Sequence, residues 1–175
     1  MEEKVPRWVG IDLGSQAIGL AVICKREKGY ELVLCEVLHL TSKPLAERLP
    51  PLYQWLKTQL ESILPAEAVV IESPFVGRNA RTAITLGVVQ GLLWAILIEK
   101  GCQLMTLSPA EIKRTIAGRP HASKEQVAAM LVHHLHMSVP IPDSSHASDA
   151  VAIALAAAYH QNSPITRRFI RRAER

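Results

Sequence analysis

The sequence has little of what marks a disulfide scaffold, a zinc finger or a membrane anchor. Its three cysteines are scattered, which excludes a disulfide framework and a cysteine-based zinc site. The longest apolar stretch, 84–98, contains a glutamine and two glycines and is shorter than the roughly 20 residues that span a bilayer. The first residues, Met-Glu-Glu-Lys, lack the basic region of a secretory signal. We therefore expect a reduced, soluble, cytoplasmic protein with no membrane contact.

Composition favours one globular domain with a basic end. The chain has 175 residues, 49% of them hydrophobic, a net charge of +4 and a pI of about 9.1. Five arginines fall in 167–175, where they could contact phosphates or simply be solvated. No internal repeat or low-complexity segment is present. We predict a folded domain over 1–162 and a basic C-terminal tail over 163–175.

The hydrophobic pattern predicts an α/β fold with a mixed five-stranded sheet and helices on both faces. Three apolar stretches separated by short turns, 8–13, 17–24 and 30–38, indicate an antiparallel meander. The continuous apolar run at 68–72 is typical of a buried parallel strand, and 102–107 is predicted as a further strand. A helix from 41–44 to about 63 is expected between the meander and the run 68–72, with Thr41 or Ser42 as its N-cap. Further helices are expected over 80–100, from 108, over 122–136 and over 145–160.

Three acidic residues stand in apolar surroundings. Asp12 and Glu72 end predicted core strands, and Gly14 after Asp12 permits a tight turn. Asp149 lies three residues after His146 in the last helix, so both share one helix face. Asp12 alone could merely cap a turn. A hard divalent metal is the simplest reason to gather three carboxylates, and two such metals can align a water and a leaving oxygen on a phosphodiester.

Five motifs in this order carry a family resemblance. They read Gly-Ile-Asp-Leu-Gly-Ser at 10–15, Ile-Glu at 71–72 with Phe-Val-Gly-Arg-Asn at 75–79, Ile-Lys-Arg-Thr at 112–115, Ala-Ser-Lys-Glu-Gln-Val at 122–127, and His-Ala-Ser-Asp-Ala-Val-Ala at 146–152. The chain resembles the RuvC family of Holliday-junction resolvases, within the RNase H-like superfamily. The first motif alone is weak, since sugar kinases and actin-like ATPases share it. All five together are specific.

The resemblance implies a metal site and an expected ligand set. Asp12, Glu72 and Asp149 match the family's metal-binding carboxylates, and His146 matches a position where the family has an acidic residue or a histidine. The implied cofactor is Mg²⁺ or Mn²⁺, two ions per active site. His146 leaves open which metal is preferred. Leu13 stands where a proline is usual, and we expect little effect from it.

The resemblance also implies DNA-contacting residues. Lys113 and Lys124 match basic catalytic residues that meet the scissile backbone, and Phe75 matches an aromatic that stacks on a base near the junction centre. Arg78 and Asn79 belong to a loop expected to touch DNA. Outside the family pattern, Phe75 would more often be a packing aromatic, and the two lysines would more often be solvated helix residues.

The implied function is cleavage of four-way DNA junctions by a homodimer that nicks two opposing strands and leaves 5′-phosphates. The apolar helix 80–98 is expected at the two-fold axis. Whether a branch-migration motor complex also binds is left open. One alternative, an ATP-binding module of the actin and heat-shock type, would need a second phosphate loop and a second domain, for which 175 residues leave no room. Another, a non-catalytic junction-binding protein, is disfavoured by the intact carboxylates.

Overall fold

The structure is a computed structural model that describes residues 5–41, 43–73, 80–102 and 104–162. Three of the predicted DNA-contacting residues, Phe75, Arg78 and Asn79, lie outside the described residues. The predicted basic tail, 163–175, lies outside them as well. The predicted metal ligands and the two predicted lysines all lie within the described residues.

The core is one sheet with the strand order β5-β4-β1-β2-β3-β6. Its strands are β1 (Arg7–Leu13), β2 (Ala17–Arg26), β3 (Gly29–His39), β4 (Ala68–Glu72), β5 (Leu104–Leu107) and β6 (Leu135–Met137). β1, β2 and β3 form the predicted antiparallel meander, and the remaining pairs are parallel. The mixed sheet is thus confirmed. β1 lies at its centre, which places the end of β1 between β4 and β2.

The sheet has six strands, and the predicted number of five is wrong. The sequence pattern extended the helix before β6 to about residue 136, but that helix ends at His134, and Leu135 has extended backbone angles. Leu135–Met137 instead pairs with the edge strand β3, through Tyr30↔Leu135 and Leu32↔Met137. The pairing satisfies backbone groups of an otherwise open sheet edge and buries Leu135.

Within the described ranges, five helices cover the two faces of the sheet. They are α1 (Leu45–Ile63), α2 (Ala80–Glu99), α3 (Pro109–Ala117), α4 (Lys124–His134) and α5 (Ser145–Asn162). Ser108 and Ser123 begin α3 and α4 with capping boxes, as the sequence predicts for α3. The N-cap of α1 is Pro44, which offers no side-chain acceptor, so Thr41 as the N-cap is wrong, and Ser42 lies outside the described residues. α1 also runs through Pro50 and Pro51.

The two faces of the sheet bury separate hydrophobic clusters. One cluster lies under α1 and α2, and the other lies between the sheet and α3, α4 and α5. α5 is almost completely buried from Ala150 to Ala158 and has only small or aliphatic residues there. A Cβ at Gly10 would collide with the backbone of Ala150 and Ala154, and one at Gly19 would collide with the carbonyl of His146. The missing side chains let α5 rest directly on β1 and β2.

α2 contrasts with α5 because much of its apolar surface is uncovered. Ile84 and Ile98 are 66% and 77% exposed, and Val88 and Trp94 are also exposed. Within the described part of the chain, α2 is the one helix that is long and apolar enough to cross a membrane. That is weak support for a membrane span, because helices of soluble proteins pass the same test. An exposed apolar face of this kind is typical of a contact with another protein surface.

Candidate metal centre

The four predicted ligands come from β1, β4 and α5, which meet where β1 and β4 end. Asp12 lies near the end of β1 and Glu72 ends β4, and these strands run parallel with Ile11 paired to Ile71. The two carboxylates therefore lie side by side at the carboxyl ends of neighbouring strands. Asp149 lies in the first turns of α5, which the close approach at Gly19 holds over the sheet.

His146 contacts Asp12 directly. Its Nδ1 lies 2.5 Å from Asp12 Oδ2, and the two side chains are 32% and 14% exposed. An ionised carboxylate only accepts hydrogen bonds, so with Asp12 ionised it is Nδ1 that carries a proton, and in a neutral ring Nε2 then keeps its lone pair. A Cβ at Gly14 would lie 2.5 Å from His146 Cε1, so the glycine makes room for the ring.

The carboxylates disfavour one another's ionised forms. Burial raises the pKa of Asp12 above its ordinary value, and the charge of Asp149 raises it further, against the lowering effect of His146. Burial likewise raises the pKa of Glu72, and the charges of Asp12 and Asp149 add to this. Glu72 is exposed at the surface, so solvent screens its interactions more strongly than those of Asp12. The cluster therefore holds more negative charge than it balances internally.

Two lysines provide part of the missing positive charge. Lys124, at the start of α4, forms an ion pair with Asp149. Asp149 raises the pKa of Lys124, which favours its ammonium form. Lys113 lies with Glu72, Lys124 and Asp149 in a cleft of about 60 Å³, which we call the lysine cleft. The charge of Lys113 offsets part of the rise that burial causes in the pKa of Glu72. The two predicted lysines therefore flank the carboxylates, on the α3 and α4 side.

The donor set suits a hard divalent cation, although the side chains are not arranged around one. Among the described residues, no three histidine, cysteine, aspartate or glutamate side chains are close enough together to hold a metal ion. The contacts explain this, because Asp12 is engaged by His146 and Asp149 by Lys124. Clustered, mutually repelling carboxylates are the oxygen ligands that Mg²⁺ and related ions prefer. Lys124 contacts Oδ2 of Asp149 and therefore competes with a cation for that oxygen.

Sequence reasoning missed one residue that supports the site. Arg48, from α1, donates from Nη1 to the carbonyl oxygen of Ser15, 2.7 Å away. This contact holds the turn after Asp12, which is also closed by a hydrogen bond from Gly14 N–H to the Ala17 carbonyl. A lone arginine on the polar face of a helix carries no signal of such a role in the sequence.

Comparison with known proteins identifies consistent relatives. The model of the family "Crossover junction endodeoxyribonuclease RuvC" matches residues 8–157. A crossover junction endodeoxyribonuclease RuvC from Roseiflexus sp. is 36% identical over 165 residues, 93% of this chain and 95% of the relative. Its counterpart from Pelodictyon phaeoclathratiforme is 33% identical over 148 residues, 84% of this chain and 76% of the relative.

Solved structures agree with these relatives. The structure titled "T. thermophilus RuvC in complex with Holliday junction substrate" superposes with a TM-score of 0.79 and 30% identity, covering 88% of this chain and 93% of that chain. The yeast mitochondrial Holliday junction resolvase Ydc2 has a TM-score of 0.67 at 14% identity, covering 92% of this chain and 83% of that chain. This second likeness supports the fold alone.

The raised pKa of Asp12 predicts how the folding stability of the protein depends on pH when a chelator keeps it free of metal. A raised carboxyl pKa means that the folded state binds the proton more tightly than the unfolded state does. Stability then falls as the pH rises above the ordinary value of 3.8 through the raised pKa. We expect Asp12→Asn to melt above wild type near neutral pH, and the difference to shrink toward about pH 3.

Thermal denaturation across this pH range measures the effect. Asp143→Asn, which removes an exposed carboxylate outside the cluster, is the matched control. An Asp12→Asn protein that melts below wild type at neutral pH would show that the carboxylate is not in an unfavourable environment.

Proposed function

The chain belongs to the RuvC family of crossover junction endodeoxyribonucleases, and on that premise we propose that it resolves four-way (Holliday) DNA junctions. It does so by metal-dependent hydrolysis of phosphodiester bonds, as a nuclease of DNA recombination and repair. We further propose that it nicks two opposing strands and leaves 5′-phosphates. Membership of this family decides against the ATP-binding module considered from the first motif alone.

The observation that carries this function is the convergence of Asp12, Glu72 and Asp149 from β1, β4 and α5. Carboxylates that repel one another, of which Asp12 is mostly buried, are unfavourable for folding unless they serve to bind cations. We propose that these carboxylates, with His146 Nε2, hold two Mg²⁺ or Mn²⁺ ions. When bound, such ions activate the attacking water and stabilise charge on the phosphate.

The chain's own residues then orient the reaction. Asp12 orients the ring of His146 through Nδ1, and Gly14 leaves space for that ring. Lys124 turns from Asp149 to the scissile phosphate, and Lys113 approaches the same backbone from α3. Both ammonium groups stabilise negative charge on the phosphate oxygens. Phe75 as a base-stacking residue, with Arg78 and Asn79 as DNA contacts, remains part of the proposal, although all three lie outside the described residues.

We propose a homodimer joined through α2. The exposed residues Ile84, Val88, Trp94 and Ile98 form an apolar face on one helix, and exposed apolar faces are typical of protein–protein contacts. A two-fold axis beside this helix would pair two copies of the site, which suits cleavage of two opposing strands. We also propose a cytoplasmic location, the division into 1–162 and a basic tail over 163–175, and a branch-migration motor complex as a further partner.

Removal of one carboxylate tests the catalytic assignment. Asp12→Asn and Glu72→Gln keep the side-chain shape and remove a charged ligand. We expect cleavage of a synthetic four-way junction to fall by more than about 100-fold, since changes even outside the ligand shell cost 10–100-fold. Junction binding rests mainly on phosphate contacts, so its Kd should stay close to wild type and weaken with salt. Asp143→Asn should cleave normally.

Near wild-type nicking by either variant would contradict the assignment. A wild-type protein that binds junctions and never cuts them with any divalent metal would instead favour the non-catalytic alternative.

The metal preference should follow from His146. Imidazole suits Mn²⁺ better than Mg²⁺, which prefers oxygen ligands. We expect Mn²⁺ to support cleavage at least as well as Mg²⁺ and at lower concentration. His146→Asp, which restores an all-oxygen site, should shift the balance toward Mg²⁺. Titration of each metal against cleavage rate measures this, and identical profiles for the two proteins would exclude His146 as a ligand.

The α2 face predicts how assembly fails. Ile98→Glu places a charge on a side chain that is 77% exposed in the single chain, so the monomer should fold normally. Burial of such a side chain contributes about 1.5–3 kcal/mol, so the dimer Kd should rise by roughly tenfold or more. Sedimentation at several protein concentrations measures the change. Val132→Glu, on the exposed surface of α4, is the control, and equal effects of the two variants would rule out α2 as the interface.

A further inference from the structure

A second concave surface opens beside the carboxylates, on the side away from Lys113 and Lys124. It is a groove of about 810 Å³ that includes Ser15 and His146 and shares no lining residue with the lysine cleft. Its walls come from the β1–β2 turn, the end of β3 and the first turns of α1 and α2. β1 lies between β4 and β2 in the sheet, so Asp12 stands between the cleft and the groove. We call this surface the α1 groove.

The α1 groove is positively charged. Lys43, Arg48 and Arg81 line it, and His39 and His146 add two imidazoles. Among its described lining residues there is no aspartate or glutamate. Glu47, which is not a lining residue, has its Oε2 3.8 Å from Lys43 Nζ, and both side chains are more than half exposed. Such a pair is weak in water, so it leaves the ammonium available to an anion.

Backbone and side-chain donors add to this charge. α1 begins in the groove wall, and its N-cap Pro44 supplies no side-chain acceptor for the N–H groups of the first turn. The carboxylate of Glu47, in that same turn, offsets part of the positive charge of the helix end. Arg48 has five N–H donors, of which one is used on Ser15. Its Nε is buried with no acceptor among the described residues. The guanidinium is thus fixed against the turn after Asp12 with donor capacity remaining.

We propose that the α1 groove binds backbone phosphates of the cleaved DNA strand, on the side of the scissile phosphate opposite the stretch held by Lys113 and Lys124. The proposal rests on the proposed function and assigns a strand path to it. The cleaved strand crosses the end of β1, with the lysine cleft on one side of the scissile phosphate and the α1 groove on the other. The lining of the α1 groove is mainly polar, which suits a phosphodiester backbone. Small-molecule pockets, in contrast, typically have an apolar lining.

Charge reversal in the groove tests the proposal. Lys43→Glu is suited to it, because an acidic residue is tolerated just before a helix and the side chain is exposed. Lys28→Glu is the matched control, because Lys28 is exposed in the β2–β3 turn, at the opposite end of β2 from Asp12. Lys43→Gln, which only removes the charge, guards against effects of the new carboxylate. Melting temperatures establish that all three proteins are folded.

Junction binding in a chelator is measured against salt concentration. Loss of one phosphate contact per subunit should lower the slope of log K against log salt by about 0.9, and by about twice that when both grooves of a dimer contact one junction. We expect that fall for both Lys43 variants, together with weaker binding at fixed salt, and an unchanged slope for Lys28→Glu. Slopes of the Lys43 variants equal to that of Lys28→Glu would overturn the proposal.

Neutral methylphosphonate linkages, placed singly along the cleaved strand, locate the contact. Wild type should lose affinity at phosphates on one side of the scissile position, and Lys43→Glu should lose less at those same phosphates, since the partner charge is already gone. Equal losses for both proteins at every position would overturn the proposal. Wild-type cleavage in the same preparation separates the two failures: a wild type that neither binds nor nicks junctions ends both proposals, whereas normal nicking with no Lys43 effect ends this one alone.

Discussion

The direct seating of α5 on the sheet is the contact on which the rest of the structure depends. Gly10 and Gly19 have no side chains, and α5 packs against them with alanines, so the helix backbone contacts the strand backbone directly. Any side chain at either glycine would lift the helix. Since His146 and Asp149 belong to α5 while Asp12 belongs to β1, the same contact sets the distance between these proposed ligands. Packing and site geometry are therefore one constraint.

The charges at this contact work against folding stability. Burial and mutual repulsion raise the pKa of Asp12 and Glu72, so the site favours protons or cations over bare carboxylates. Lys124 offsets part of the repulsion by pairing with Asp149, and His146 does so at Asp12. Natural proteins accept such local instability where it serves a site, provided that the surrounding core is strong. Here two hydrophobic clusters hold the sheet from both faces.

Much of this could be predicted from sequence because the signals were local. Alternating and continuous apolar runs located five of the six strands, Ser108 and Glu111 marked the start of α3, and the family motifs singled out the carboxylates that the fold brings together. The missed features depend on tertiary contacts. The three residues of β6 form a strand only because the edge of β3 is available, and they follow a helix with no intervening turn residue. Arg48 acquires its role from a carbonyl 33 positions away.

The ion pair between Lys124 and Asp149 has a thermodynamic consequence. One ammonium group cannot neutralise Asp149 and a DNA phosphate at once, so whatever draws Lys124 away exposes the carboxylate to a competing cation. Under the proposed function, junction binding and metal binding then become linked equilibria, and the factor by which one ligand tightens the other must be equal in both directions. The free protein would be a poor metal chelator, and the site would fill most readily when its substrate is already in place.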